Sequence, residues 1–167
     1  MNFNIRKATM DDADGMAMVH VTSWQQTYRG LIHPDFISER TLDKSKNMFL
    51  STQCKNTLVI ETNGKIVGFC GYGTSRDSDL SEDTGEIWGM YMISSYHGRG
   101  WGKLLMNVAL MELRLLGYKK ASLWVLSTNQ RAIDFYRAQG FIEDGMHKEV
   151  IMKTPVNELR MIRPTLE

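Results

Sequence analysis

Several features are scarce in this chain of 167 residues, and each absence limits what the protein can be. No run of about 18 apolar residues occurs, and the first residues lack an apolar signal-peptide core, so neither membrane spanning nor secretion is expected. Two cysteines, Cys54 and Cys70, are too few for a disulfide framework and lack metal-ligand spacing. We therefore expect a reducing, cytoplasmic location and no metal site.

The charge balance and the low proline content also limit the partners and the domain organisation that we expect. Twenty Lys and Arg residues against 19 Asp and Glu residues leave a formal net charge of +1. That balance gives no sign of nucleic acid or of an anionic membrane as a partner. Three prolines and no low-complexity tract leave no visible linker, so residues 1–167 are expected to form one domain. Nothing in the composition separates a monomer from a homodimer.

The most informative segment spans residues 97–102 and reads His-Gly-Arg-Gly-Trp-Gly, followed by an apolar periodic stretch. Alternate glycines let a backbone approach another molecule closely, with its amides pointing outward. A helix that begins directly afterwards adds the positive end of its dipole. We therefore expect an anion-binding site suited to phosphate, to which Arg99 and Lys103 can add charged contacts.

The spacing of these glycines excludes two nucleotide-binding motifs. A Rossmann Gly-x-Gly-x-x-Gly motif counted from Gly98 needs a glycine where Lys103 stands. A Walker loop needs a glycine where His97 stands and Ser or Thr where Leu104 stands. Glycine-rich turns also occur without any ligand, and the turn alone leaves that alternative open.

Hydrophobic periodicity and turn residues predict the element order β-α-α-β-β-β-α-β-α-β-β. The predicted strands are 3–6, 57–61, 65–72, 86–93, 121–126, 141–152 and 158–163, and the predicted helices are 11–29, one or two within 34–51, 100–116 and 129–139. Such an order predicts a three-layer α+β sandwich around one central, mixed and twisted sheet.

Two segments of the chain resemble the GCN5-related N-acetyltransferase (GNAT) family. One is the glycine turn at 97–102, between a strand and a helix. The other is residues 129–141, which match the family pattern Asn-x-x-Ala-x-x-Phe-Tyr-x-x-x-Gly-Phe. Because the element order is also that of the family, the resemblance covers nearly the whole chain and implies a GNAT-like acyl-CoA N-acyltransferase fold. His97 replaces the usual Gln or Arg and Ser94 a common Pro, but neither change removes a backbone amide.

The resemblance also implies where acetyl-CoA would bind as co-substrate. Its pantetheine would lie between two splayed strands, and its pyrophosphate would contact the amides of the glycine turn. The cofactor-binding residues implied in this way are Met90, Tyr91, Met92, His97, Gly98, Arg99, Gly100, Trp101, Gly102, Lys103, Asn129 and Tyr136. Helix capping alone would also explain Asn129.

Acetyl transfer to an amine needs a proton donor for the leaving thiolate and a proton acceptor for the amine. By resemblance Tyr136 is expected as the acid, and a phenol is protonated at neutral pH. Packing in the core is the alternative. Glu86 is expected as the catalytic base, or as the group that holds a base water, in contact with the substrate. A strand-end glutamate that faces solvent is equally open.

The acceptor site is the least defined part of the prediction. Trp24 and Tyr28 occupy the helical region that covers acceptor sites in the family, although core packing would also explain them. The loop at 76–83 holds four acids and one base, which would attract a cationic amine, although a solvated loop would explain these charges as well. The resemblance thus implies acetyl transfer to a small-molecule or peptide primary amine by direct attack in a ternary complex. An inactive CoA-binding sensor or interaction module and a transferase of a longer acyl group remain the alternatives.

Overall fold

The computed structural model describes residues 2–167, which contain seven strands and five α-helices. The strands are β1 (Asn4–Lys7), β2 (Thr57–Thr62), β3 (Lys65–Thr74), β4 (Thr84–Met92), β5 (Lys120–Leu126), β6 (Ile142–Met152) and β7 (Thr154–Arg163). The helices are α1 (Ala13–Tyr28), α2 (Pro34–Ser38), α3 (Leu42–Ser51), α4 (Trp101–Leu115) and α5 (Gln130–Ala138).

The seven strands form one mixed sheet in the order β1-β2-β3-β4-β5-β7-β6. Neighbouring strands are antiparallel except β4 and β5, which run parallel. These two strands pair only from Thr84↔Lys120 to Glu86↔Ser122. Beyond Glu86 they separate, so the rest of β4, to Met92, has no strand beside it on the β5 side. The sheet therefore opens near its centre.

Helices cover both faces of this sheet and complete three layers. On one face α4 and α5 pack over the strands through buried side chains such as Leu105, Leu113 and Ile133. On the other face α1 and α3 pack through Met16 and Phe49. The predicted α+β sandwich with a central mixed sheet is confirmed.

The predicted bounds agree with the structure to within two residues except at the last strand. β7 begins at Thr154, four residues before the predicted start, and a tight turn at Lys153 (φ +65°) joins it to β6. Pro155 lies near the start of β7 although proline lacks a backbone N–H to donate to a neighbouring strand. It is tolerated here because β5 pairs with β7 only from Glu158 onward, so Pro155 lies where β7 has a single neighbour.

Candidate active site

A cleft of about 990 Å³ occupies the opening between β4 and β5. At one end it is lined by the glycine turn, the first turn of α4 and Asn129, which we call the glycine end. At the other end it is lined by Trp24, Tyr28, Trp88 and Trp124 together with charged side chains, which we call the aromatic end. Residues of β4 and α5 line the passage between them.

The glycine end is formed by backbone. Gly98 and Gly100 adopt positive φ values of +76° and +78°, and a Cβ at either position would meet no atom within 4 Å. Helix α4 starts at Trp101, so the N–H groups of its first turn have no partner within the helix. Because Gly98, Gly100 and Gly102 all line the cleft, this end presents open space beside unpaired amides, as an anion requires.

Side chains around the turn hold it in place. The Nε2 atom of His97 lies 2.9 Å from the carbonyl oxygen of Met92, and burial lowers the pKa of the imidazole, which favours its neutral form. The guanidinium of Arg99 lies over the rings of Tyr96 and Trp101, 5.1 and 5.6 Å from their centroids. Trp101 itself is buried and stacks on Tyr96.

All of the predicted cofactor residues line the cleft except Arg99 and Trp101. For these two, the structure shows packing around the turn, and their predicted contacts with a ligand remain predictions. Asn129 is confirmed as a helix cap, because its side-chain oxygen accepts a hydrogen bond of 3.3 Å from the Ala132 amide. It also lines the cleft, so a ligand contact is compatible with the cap.

Tyr136 projects from α5 into the middle of the cleft. Its ring lies edge-on to Phe135 and Phe141, so packing fixes its position. Burial is the main cause that raises the pKa of its hydroxyl, and Tyr91 and Cys70 add to the effect. The phenol is therefore protonated at neutral pH and can act as a hydrogen-bond donor.

Trp24 and Tyr28 both line the aromatic end, and their predicted contact with an acceptor remains a prediction. Their rings meet edge-on with centroids 4.9 Å apart. Trp24 is buried beneath the guanidinium of Arg40, which lies 4.1 Å from its ring centroid. Burial raises the pKa of Tyr28, and the hydroxyls of Tyr91 and Tyr136 raise it further.

Glu86 is buried rather than facing solvent, so the solvent-facing alternative is wrong. Both carboxylate oxygens bind Arg76, whose backbone N–H and Nε donate hydrogen bonds of 2.8 and 3.1 Å and whose Nη2 also contacts the carboxylate. Arg76 lines the cleft, whereas Glu86 does not. The structure thus places Arg76 between Glu86 and the cleft, and the predicted roles of Glu86 as base and substrate contact remain predictions.

The predicted attraction between the loop at 76–83 and a cationic amine remains a prediction, because most of the loop acids already have partners within the protein. Arg160, with a side chain only 4% exposed, forms ion pairs with Asp77 at 3.4 Å, Asp79 at 2.7 Å and Asp144 at 2.7 Å. Asp83 pairs with Lys120. Three of the four loop carboxylates are thus paired with cations of the protein, and none of the four lines the cleft.

Five residues that line the aromatic end were not predicted from the sequence: Arg76, Trp88, Trp124, Lys148 and Glu158. The Nζ atom of Lys148 lies 4.0 Å from the ring centroid of Trp124 and 3.3 Å from a carboxylate oxygen of Glu158. Alternation in β7 could have shown that Glu158 points away from the core residue Leu159. It could not have shown which strands lie beside β7.

Two kinds of feature are absent from residues 2–167. No helix in this range is both long and apolar enough to cross a membrane. No group of three or more His, Cys, Asp or Glu side chains in the same range is arranged to hold a metal ion.

The chain matches the family profile described as acetyltransferase (GNAT) family over residues 18–141. It is 34% identical to an uncharacterized N-acetyltransferase of Archaeoglobus fulgidus, over 81% of this chain and 90% of the relative. It is 27% identical to the uncharacterized N-acetyltransferase YuaI of Bacillus subtilis, over 80% and 77% of the two chains. This protein therefore belongs to the GNAT family of acetyltransferases.

A solved structure shows the same fold. The PaiA N-acetyltransferase of Thermoplasma acidophilum, in complex with coenzyme A, superimposes with a TM-score of 0.78 at 20% identity. The match covers 98% of this chain and 99% of that one.

Proposed function

We propose that this protein moves the acetyl group of acetyl-CoA to a primary amine by direct attack in a ternary complex. The observation that carries the proposal is the continuous cleft, which joins a phosphate-binding turn to the aromatic end past the hydroxyl of Tyr136. Membership of the GNAT family supports the reaction class, and the coenzyme A in the PaiA structure supports the cofactor. The buried, unpaired cysteines are compatible with action in the cytoplasm.

The residues at the glycine end fit the phosphates of CoA. The space beside Gly98 and Gly100 admits a pyrophosphate close to the backbone, where the amides of the first turn of α4 would donate to it. Lys103 lines the same end and would add a charged contact. The edge of β4 from Met90 to Met92 would bind the amide groups of the pantetheine, since β5 does not pair with it.

Tyr136 is the group we assign to the leaving thiolate. Its hydroxyl stays protonated because burial raises its pKa, and it stands between the two ends of the cleft. A positioned acid of this kind contributes about 10²–10⁴-fold to a rate. When bound, acetyl-CoA supplies the thioester that the amine attacks.

The cysteines support direct attack rather than an acetyl-enzyme. A thiolate, not a thiol, is the nucleophile. Burial raises the pKa of Cys70 to about 12 and raises that of Cys54 as well. Neither residue lines the cleft, so neither is suited to accept the acetyl group.

Two-substrate kinetics with a panel of amines test this function. Release of the CoA thiol is measured with acetyl-CoA and with spermidine, L-phenylalanine, kanamycin or a peptide that begins with alanine. We expect at least one amine to accelerate release, with intersecting double-reciprocal lines. Parallel lines together with an acetylated protein in mass spectra would contradict direct attack. CoA binding without transfer to any amine would favour the sensor, and faster transfer from propionyl- or succinyl-CoA would favour a longer acyl group.

A further inference from the structure

Among the residues that the structure describes, Glu158 is the only carboxylate that lines the cleft. It lies on β7 opposite Leu126, the last residue of β5, and so at the mouth of the gap between β4 and β5. Its side chain is 18% exposed, which leaves the carboxylate shielded from bulk solvent but open to the cleft. Glu158 is therefore the acid that an acceptor amine can reach.

Charged and titratable groups from three other elements face this carboxylate. Lys148 on β6 forms an ion pair with it at 3.3 Å. Tyr28 on α1 and Arg76 on the loop after β3 both interact with it electrostatically. The hydroxyl of Tyr28 also interacts with that of Tyr136, so the proposed acid and Glu158 flank the same stretch of the cleft.

This arrangement would favour loss of a proton from an incoming ammonium group. A primary amine with a pKa of about 10.4 is neutral in only about one molecule in 2,500 at pH 7. Lys148 is paired with Glu158 and Arg76 with Glu86, so these four groups add no net charge beside the amine. A carboxylate at the same place supplies the acceptor for the proton that leaves.

We propose, on the basis of the acetyltransferase function above, that Glu158 takes the proton from the acceptor amine, directly or through one water, and that Lys148 positions its carboxylate. The ammonium nitrogen loses one proton to Glu158, which passes it to solvent. The free amine then forms the C–N bond as the C–S bond breaks, and Tyr136 gives its proton to the sulfur. The second proton lost by the nitrogen restores the phenol of Tyr136.

Three isosteric variants separate this role from its alternatives. Glu158→Gln keeps the side-chain shape but removes the proton acceptor. Glu86→Gln makes the same change at the acid buried behind Arg76. Glu149→Gln is the matched control, because Glu149 is exposed on the neighbouring strand β6 and lies outside the cleft. The probe is whichever amine of the panel above the wild type acetylates fastest, with kcat/KM measured from pH 6 to pH 10.

At pH 7 we expect Glu158→Gln to lower kcat/KM by about 10²-fold, with the loss shrinking as the pH approaches the pKa of the amine. Glu149→Gln should match the wild type, and Glu86→Gln should give a curve parallel to it. A Glu158→Gln profile that equals the wild type, or lies below it by a constant factor, overturns the proposal. Recovery of kcat/KM at high pH in Glu86→Gln alone would also overturn the proposal, because Glu86 would then be the base.

Failure of the proposed function gives a different result. If the wild type binds CoA but acetylates no amine, the acetyltransferase function fails and the role of Glu158 fails with it. If the wild type is active and only the predicted Glu158→Gln profile is missing, the proposed function stands. Thermal unfolding and calorimetric CoA binding are measured for each variant, so that a lower rate is not mistaken for a loss of folding.

Discussion

The two ends of the cleft are built in opposite ways. Apart from Asn129, the glycine end is a contiguous stretch of backbone from residue 97 to residue 103, and its shape depends on two positive φ values. The aromatic end gathers side chains from α1, β4, β5, β6, β7 and the loop after β3. A backbone site fails when its conformation or open space is lost, whereas a side-chain site fails when one chemical group or the sheet that gathers it is lost.

The largest effect should come from filling the open space at the glycine end. Gly100→Val places a branched side chain where a bound pyrophosphate would approach the backbone, and we expect no measurable CoA binding by calorimetry. Arg99→Ala removes a side chain that lies outside the cleft lining, so CoA affinity should fall only modestly. A larger loss of CoA affinity in Arg99→Ala than in Gly100→Val would show that side chains, not backbone, hold the cofactor.

Backbone strain needs its own control, because valine at a positive φ is unfavourable anywhere. Gly117 follows α4 with φ +96° and equally open surroundings, and it lies outside the cleft. Gly117→Val should therefore cost similar stability yet keep CoA affinity. Loss of CoA binding in both variants would assign the effect to strain rather than to blocked approach.

The next effect should come from removing one chemical group between the two ends. Tyr136→Phe keeps the ring packed against Phe135 and Phe141 but removes the hydroxyl. If the hydroxyl protonates the thiolate, kcat should fall about 10²–10⁴-fold while CoA affinity stays the same. Steady-state kinetics and calorimetry on the same protein check this. An unchanged kcat would leave Tyr136 as a packing residue.

A smaller effect should come from loosening the sheet behind the aromatic end. Arg160→Met leaves three carboxylates without their shared cation, and we expect the free energy of unfolding to fall by about 2 kcal/mol in urea titrations. Arg137→Met is the control, because that arginine also has two acidic partners but is half exposed, and it should change stability by less than about 0.5 kcal/mol. Equal losses of unfolding free energy in the two variants would show that the burial of Arg160 adds nothing to its effect on stability.

The Arg160 effect should also depend on pH. Hydrogen bonds from Arg160 hold the pKa of the Asp79 carboxyl below its usual range. The stabilisation is therefore fully present above about pH 4 and is lost as the pH falls through the lower pKa of the folded state. Unfolding titrations at pH 7 and pH 3 should show that the difference between wild type and Arg160→Met narrows on acidification.

The same contrast explains what the sequence could predict. The glycine turn, the Asn129 cap and most helix and strand bounds depend on neighbours a few residues away, and these predictions agree with the structure. The pairing of Arg160 with Asp79 joins residues 81 apart in the chain, and periodicity carries no information on such a contact. The contact of Lys148 with Glu158 is closer in sequence but depends on the register of the β6–β7 hairpin, whose turn was not predicted.

Glu86 shows a second limit of sequence reasoning. Its place at the start of the central strand was predicted correctly, and only its environment was not. An acid at the end of a strand can face solvent, a ligand or a buried cation, and the choice here depends on Arg76, ten residues earlier on a loop. No local pattern distinguishes those three surroundings.

The gap beside β4 also makes the centre of the sheet a reporter of occupancy. Amide hydrogens in the middle strands of a sheet normally exchange with deuterium very slowly, whereas those at its margins exchange fast. Between Met90 and Met92, amides that point towards β5 lack this protection, since no strand lies on that side, while those that point towards β3 are still paired. A bound pantetheine would supply the missing hydrogen-bond partner. Ligand binding should therefore slow deuterium exchange in the middle of the sheet and leave exchange in the outer strands unchanged.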